Sequence, residues 1–530
     1  MIRKVVQSSF FQLLFVYTFI VLIISMNLIY RYSFHLEVLA LFLGVISFFI
    51  INSLETKQTD KYIHYFFIIF SFVLIIFFRL VPYINNSIPI GYDAGIYKYI
   101  IEHGTNYDQW ILQGTEPGFL YFMTFLSFFL SSEFILIWLF TAFSVLLGYA
   151  IYMTTKIYFD DFTAIIALLI YSLSSVQFLT FSYLYYKNIT ALSTVLFSLC
   201  FLKKFETNPK KINFILFILM AILTGILHRP TFYIFGLSYF FYVFIAPFSK
   251  KDYYYNFAKL IVYICAGILI LFFTIIFYLG KFSPAILVMF DPVLNAFFQP
   301  GEAPGTFINF FTYQFATLAY LPFAFIGLFW LLKNKKINVI FLWTLIVLII
   351  VYFKFFFFNR FIIHLDIMLI IVASVGFSLV ISQKRNVGFF ILTIMLMSSF
   401  IVIYNESSKA APIVSEREIE AISYLQNTEA NAYVIATSSL YSPVVLGYSQ
   451  RKTIAPGLFD DNKHSREQWI EFWKTNNLTY IKQFMNAYKT NNNPLYVFIG
   501  EKQKDNIAQF KPCFDLVFNK NNNKIYKYKC

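Results

Sequence analysis

Residues 116–131 read EPGFLYFMTFLSFFLS, an apolar run just long enough to be taken for a membrane crossing. Its reading sets the layout of the whole chain. Apolar runs of roughly 16–25 residues also occupy 9–30, 36–53, 63–82, 133–155, 161–180, 189–204, 212–227, 230–248, 257–279, 311–332, 337–354, 358–381 and 387–404. A helix of about 20 residues covers some 30 Å of hydrocarbon, so these are thirteen expected spans. With Arg3 and Lys4 cytoplasmic and 116–131 not crossing, Lys57, Lys61, Lys156, Lys203, Lys204, Lys210, Lys211, Lys250, Lys251, Lys333, Lys335, Lys336, Lys384 and Arg385 all fall in cytoplasmic connections, as basic loop residues should. If 116–131 crossed, the KKFETNPKK and KNKK loops would move outside. The run is therefore expected to be a helix lying at the outer interface. The run 9–30 is too long for a cleaved signal peptide, lacks a small-residue cleavage site and is followed by further spans.

Composition agrees. The 530 residues are 59% hydrophobic, 22% aromatic and only 13% charged, with 70 Phe and 39 Tyr. A soluble domain carries about 25% charged residues. This excludes a cytosolic enzyme, a disordered chain and a nucleic-acid-binding domain. The net charge of +14 lies mostly before residue 405, where it reports loop orientation and not nucleic-acid affinity. Cys200 and Cys265 sit in apolar runs. Cys513 and Cys530 sit in the polar tail, and the sequence leaves open whether they pair.

Two outer segments exceed what a connector needs, 83–132 and 280–310, and long loops in compact proteins commonly carry function. The first is rich in apolar and aromatic residues and reads as short amphipathic surface helices. From 405 the pattern changes. SEREIEAISYLQ (415–426) has a capping-box spacing, Ser415 with Glu418. NAYVIAT and PLYVFIG read as strands. REQWIEFWKTNNLTYIKQFMNAYK reads as helical, and FDLVFNKNNNKIYKYK as a hairpin with an Asn-rich turn. The expected architecture is an all-α polytopic membrane bundle, residues 1–404, followed by a small extracytoplasmic α/β domain, 405–530. The sequence shows no internal repeat and no sign of interrupted helices.

Charged residues at the outer face stand out because hydrocarbon makes them costly. Asp93 lies in Gly91-Tyr92-Asp93-Ala94-Gly95-Ile96-Tyr97-Lys98-Tyr99, ahead of Glu102 and His103. On spacing alone the stronger reading is a helix N-cap. The functional reading, compatible with it, is a general base for a hydroxyl nucleophile, with Tyr92 and Lys98 in support. Glu116, before Pro117, is either a loop acid or a second carboxylate facing the same cavity. Against them stand Lys187, His228-Arg229-Pro230 at a tight junction between spans, and Arg360 with His364 and Asp366. Arg360 and His364 share a helix face at i and i+4, whereas His364 and Asp366 do not. Snorkelling to headgroups explains some outer cations. A cluster of them suits a lipid-linked phosphate, which Arg grips bidentately.

Together, the N-in first segment, the outer loop with an acid near its start, the surface helices, the dozen or so spans and the outer α/β tail resemble the GT-C superfamily of integral-membrane glycosyltransferases. These use polyprenyl-phosphate sugars and include protein O-mannosyltransferases and aminoarabinose transferases. Arg360-Phe361-Ile362-Ile363-His364-Leu365-Asp366-Ile367-Met368-Leu369 looks like the family's Arg-Phe-x-x-Tyr-x-Asp-x-Pro-Leu late span. Ile222–Thr231 looks like the segment where members place a His or Lys, and 415–426 like the start of the usual outer tail. The resemblance implies that Asp93 activates the acceptor or holds a metal, and that Glu116-Pro117 occupies a polar position before Pro. Ala94 and Lys187-Asn188 depart from it, standing where members carry acids.

The expected function is transfer of a sugar from a polyprenyl-phosphate donor to an acceptor hydroxyl of a glycan, lipid or protein, at the outer face of the cytoplasmic membrane. Asp93 and Glu116 are the expected catalytic acids. Arg229, Arg360, Lys187 and His228 would hold the donor phosphate, with Tyr92, Lys98, His364 and Asp366 in support. A divalent metal is compatible with this chemistry and not demanded by it. Asp93…Glu116-Pro117-Gly118-Phe119 is also similar to polysaccharide polymerases of the outer-membrane and capsule pathways, the second reading. A transporter or lipid flippase would favour repeats and broken helices near the midplane. A structural assembly subunit would leave Asp93 facing lipid or bulk water.

Overall fold

A computed structural model of the protein describes residues 60–103, 109–245, 253–286, 307–355, 357–436, 438–456, 459, 463–489, 493–503 and 512–530. The expected spans 9–30 and 36–53, and most of the loop 280–310, lie outside the described residues.

Helices stand at every expected span within the described residues: α1 (Asp60–Leu80), α5 (Ser132–Tyr158), α6 (Asp161–Ser172) with α7 (Ser175–Ser182), α8 (Tyr186–Thr207), α9 (Lys211–Leu227), α10 (Arg229–Ile245), α11 (Tyr253–Phe277), α12 (Phe310–Thr317) with α13 (Leu321–Lys333), α14 (Val339–Tyr352), α15 (Ile362–Gln383) and α16 (Arg385–Lys409). Among the described residues six helices are long and apolar enough to cross a membrane alone, eight if each bent pair counts as one span. The α6–α7 pair bends by 52° and the α12–α13 pair by 77°. These are interrupted helices that the sequence reading did not foresee. At the second break Pro322 sits in the first turn of α13, where its missing N–H costs nothing. No comparable signal marks the first.

The span Phe358–Gln383, which contains α15, is 78% buried inside the protein and forms the bundle's centre. The span Phe257–Phe277, within α11, is only 22% buried and turns Ile261, Ile268 and Phe272 outward, the composition expected of a hydrocarbon-facing wall.

The loop 83–132 carries α2 (Ala94–His103), α3 (Gln109–Gly114) and α4 (Pro117–Ser127). At 1.5 Å per residue α4 reaches about 16 Å, well short of a crossing. Tyr97, Phe119 and Tyr186 meet edge to face, which seats α2 and α4 on the start of α8.

After α16, α17 (Glu416–Tyr424) opens with the expected capping box of Ser415 and Glu418. A five-stranded sheet comes next, in the order β2-β1-β3-β5-β4: β1 (Tyr433–Ala436), β2 (Lys452–Ile454), β3 (Leu495–Ile499), β4 (Phe514–Lys520) and β5 (Asn523–Tyr528). β1 pairs in parallel with β2 and β3, and the hairpin β4–β5 adds antiparallel to β3. Asn521 and Asn522 have positive φ (53° and 63°), the backbone a two-residue hairpin turn requires. A disulfide joins Cys513 to Cys530. The helical stretch 466–489 is two helices, α19 (Arg466–Lys474) and α20 (Leu478–Asn486), the second capped by Asn477. Helix α18 (Ser442–Ser449) and strand β2 were not anticipated.

Helix α18 is what attaches the sheet to the first loop. It crosses α2 at two glycines. A Cβ on Gly95 would lie 1.8 Å from the Pro443 carbonyl oxygen, and one on Gly447 would lie 2.3 Å from the Gly95 carbonyl oxygen. Around this crossing the Tyr92 hydroxyl donates to the Ser439 carbonyl (2.8 Å), Gln450 Nε2 donates to Glu102 (3.0 Å), and Lys98 Nζ lies 4.8 Å from the Tyr448 ring centroid. Overpacking such a contact costs about 1–3 kcal/mol. Gly447→Val is therefore expected to loosen the sheet from α2, seen as a lower thermal midpoint and faster proteolysis after Lys409. An unchanged midpoint and cleavage rate would refute the glycine crossing.

Candidate functional site

The segments that follow α3, begin α8 and begin α10 meet at the end of the bundle that carries the sheet. At their junction is Glu116, the residue before Pro117, with a side chain only 3% exposed. Its Oε1 accepts from the backbone N–H of Arg229 (3.2 Å) and from Arg229 Nε (3.4 Å). Lys187 Nζ stands 3.0 Å from Oε2 as an ion contact. Arg229 opens α10, so this carboxylate also faces a helix N-terminus, whose exposed N–H groups favour an anion. Burial disfavours charge on Glu116, but Lys187, Arg229 and His228 outweigh it and hold the carboxyl well below the usual carboxylate range. Arg229 also donates from Nη1 to the Ala285 carbonyl and from Nη2 to the Gln113 carbonyl (3.3 Å each). Lys187 also reaches the Gly114 carbonyl at 3.4 Å.

Asp93 ends the turn before α2. Gly91, two residues earlier, has φ +102°, and a Cβ there would meet Leu184 and the Ser182 carbonyl at 2.9 Å. Only glycine lets this turn press against the turn between α7 and α8, and that contact brings Asp93 near the segment carrying Lys187. Among the described residues none donates a hydrogen bond to the Asp93 carboxylate. Burial raises its pKa, and the charges of Lys187 and Arg360 pull the other way.

Arg360 lies in a short 3₁₀ turn (Phe358–Phe361) ahead of α15. Phe357, just before it, takes a left-handed backbone (φ 51°), a strained conformation for a bulky residue. The guanidinium lies 5.4 Å from the Phe307 ring and 5.8 Å from the Phe357 ring. Among the described residues its Nε has no hydrogen-bond partner, and no carboxylate forms an ion pair with it.

The other expected residues divide. His228 belongs to the cluster: Nδ1 is 2.8 Å from the Thr231 hydroxyl, which is 3.3 Å from His364 Nε2. His364 is fully buried one helical turn beyond Arg360 and reaches the cluster only through Thr231. Tyr92 faces the sheet through Ser439. Lys98 lies in a separate ion cluster with Glu102 (2.5 Å) and Glu133 (2.6 Å) and also donates to Ser132 (3.0 Å). Asp366 is fully buried deeper in the bundle, with Ser174 and Gln177 donating to Oδ2 (3.0 and 2.8 Å) and the Tyr320 hydroxyl donating to Oδ1. The sequence reading missed Thr231, Phe307, Phe357 and the Gly91–Leu184 contact. Only the glycine carried a local signal, since the others gain their meaning from partners distant in sequence.

Around Asp93 the side chains present are one carboxylate without a cation partner, a second already held by two cations, and a third cation left over. No group of three His, Cys, Asp or Glu side chains able to hold a metal occurs among the described residues.

No family model and no curated protein sequence matches the chain. Solved structures do. The apo oligosaccharyltransferase of Archaeoglobus fulgidus matches with a TM-score of 0.61 at 15% identity, over 84% of this chain and 70% of that one. The oligosaccharyltransferase AglB of the same organism, in complex with an inhibitory peptide and dolichol-phosphate, matches with 0.56 at 15% identity, over 83% and 70%. ArnT from Cupriavidus metallidurans bound to undecaprenyl phosphate matches with 0.58 at 9% identity, over 87% and 97%. At such identities the likeness is one of fold. It covers more than four fifths of this chain in each case, so the protein shares the fold of these solved membrane proteins, in keeping with the GT-C resemblance of its sequence.

Proposed function

We propose that this chain is a glycosyltransferase that moves a sugar from a polyprenyl-phosphate donor to an acceptor hydroxyl, at the outer face of the cytoplasmic membrane, in the synthesis of a cell-envelope glycan or glycoprotein. One observation carries the reading: Asp93, whose carboxylate accepts no hydrogen bond among the described residues, and the cations Lys187, Arg229 and Arg360 come from four distant segments to one end of the bundle. ArnT binds undecaprenyl phosphate and AglB binds dolichol-phosphate on the same fold, which supports a lipid-linked donor here.

In this reading the lipid tail lies along the bundle wall and the phosphate rests against Arg360, with Lys187 beside it. Asp93 takes the proton of the acceptor hydroxyl. The oxygen attacks the anomeric carbon as the bond from that carbon to the phosphate oxygen breaks. The electron pair leaves with the phosphate, whose charge the cations stabilise. A single displacement inverts the anomeric configuration. Glu116 takes no proton. Held ionised by Lys187 and Arg229, it fixes where those cations stand.

The N-terminus and the Lys-rich connections are assigned to the cytoplasm. Helix α8 supports this, since it runs from Lys187 at the site to Lys203 and Lys204 at its opposite end. Residues 1–404 are assigned to the membrane domain and 405–530 to an extracytoplasmic domain, although α16 itself continues to Lys409. The two broken helices favour a transporter. Against that reading, both breaks close on Asp366, which is fully buried and bonded to Ser174, Gln177 and Tyr320.

General-base catalysis is worth about 10²–10⁴-fold. Asp93→Asn is expected to lower transfer from a polyprenyl-phosphate sugar by that factor in proteoliposomes while leaving undecaprenyl-phosphate affinity nearly unchanged. Retained turnover would remove Asp93 as the base. Because burial raises the Asp93 pKa above the ordinary aspartate value of about 3.9, activity should fall as pH drops through that raised value. Lys187 lowers it, so Lys187→Gln is expected to move the acidic limb of the kcat/KM profile to higher pH. A shift to lower pH would contradict this electrostatic account.

A further inference from the structure

The two helix breaks close on the same side chain. Ser174 occupies the first break, where it caps α7, its hydroxyl accepting from the Gln177 backbone N–H (3.2 Å) and donating to Asp366 Oδ2 (3.0 Å). Gln177, in the first turn of α7, donates from Nε2 to the same oxygen at 2.8 Å. Tyr320 occupies the second break, immediately before α13, and its hydroxyl donates to Asp366 Oδ1. Asp366 itself sits on α15, the unbroken central helix, and among the described residues no cation forms an ion pair with it. Inside a membrane a helix break exposes backbone groups that must be satisfied locally, and a buried carboxylate must find donors or neutralise. Here each need meets the other. The carboxylate lies at the N-terminus of α7, where the helix dipole favours negative charge.

From this knot three short segments lead to the site. Helix α7 runs to the turn that packs against Gly91 and then to Lys187. Helix α12 runs back to Phe307. The start of α15 leads to Arg360. Helices α7 and α12 have eight residues each, about 12 Å, and Arg360 precedes Asp366 by about 9 Å along the axis. At their far ends the three segments touch again: the Tyr185 ring lies 5.8 Å from Phe307, whose ring lies 5.4 Å from the Arg360 guanidinium.

We propose that Asp366 is a positioning residue which, by fixing the Ser174 and Tyr320 breaks to α15, sets the spacing of Lys187, Phe307 and Arg360 without touching the ligand. It takes from the functional reading only the identity of the anion that those groups receive.

The test uses the full chain in lipid nanodiscs, with Asp366→Asn, Ser174→Ala and Tyr320→Phe. The last two keep the carboxylate and each remove one donor, so they serve if Asp366→Asn does not fold. Ser198→Ala is the control, because it deletes a buried hydroxyl bonded to the Phe217 carbonyl (3.1 Å), elsewhere in the bundle. Hydrogen bonds to charged groups are among the stronger ones, so amide exchange in 183–187 and 307–310 is expected to quicken about ten-fold in the three variants. Exchange in β3 should stay unchanged throughout, and the control should leave all segments unchanged. Undecaprenyl phosphate should bind Asp366→Asn about ten-fold more weakly, and adding Arg360→Gln should then cost less than it does in the unmodified chain, because the two act on one interaction. Unchanged exchange in both segments, or losses that multiply independently, would overturn the proposal. Failure of the unmodified chain to bind undecaprenyl phosphate would instead count against the functional reading, while the exchange measurement still decides the role of Asp366.

Discussion

A carboxylate buried at the end of a membrane bundle must be neutralised, and Glu116 meets that constraint by recruiting two cations from segments far from it in sequence. Lys187 begins α8 and Arg229 begins α10. Apolar contacts of Tyr97 and Phe119 with Tyr186 bring the first loop to the start of α8, and the charge on Glu116 fixes Lys187 and Arg229 there. The pairing has a consequence for chemistry. Lys187 and Arg229 are held in place before any ligand arrives, and such preorganisation makes electrostatic stabilisation effective. Arg360, flanked by two phenylalanine rings, has no carboxylate partner among the described residues.

The site is not built by the bundle alone. Asp93 stands between two close contacts, one at Gly91 against the turn after α7 and one at Gly95 against α18. The first ties the acid to the membrane helices, the second to the sheet. Glu418 extends the same logic: it completes the capping box of α17 and accepts from the Tyr441 hydroxyl at the start of α18. A route of fixed contacts thus runs from the end of α16 through α17 and α18 to α2, which Asp93 immediately precedes. Displacement of the sheet would be felt at Asp93 through these contacts.

The broken helices belong to the same design. A straight α6–α7 or α12–α13 would run on as an uninterrupted rod. Bent at Ser174 and near Tyr320, both pairs instead send a short helix toward the site, and one carboxylate serves both bends. Asp366, expected only in a supporting role, lies deeper in the bundle among hydroxyl and amide donors.

Periodicity and local chemistry were legible along the chain before any folding. Apolar runs located the helices, because hydrocarbon demands length and low charge. The Ser415–Glu418 spacing marked a capped helix start, the Asn-rich run a hairpin turn, and the β-branched and aromatic runs two of the strands. The charged residues were singled out too, since charge near hydrocarbon needs a reason. Which of those charges meet was settled only by packing. Lys98 and Lys187 look alike in sequence, yet the first pairs with Glu102 and Glu133 and the second with Glu116. The break at Ser174, the bridge through Thr231 and the glycine crossing of α2 and α18 were equally illegible, because each depends on a partner brought close only when the chain folds. Local propensity records what a residue prefers among its neighbours in sequence; which distant group lies across a buried gap is fixed by the packing of whole helices.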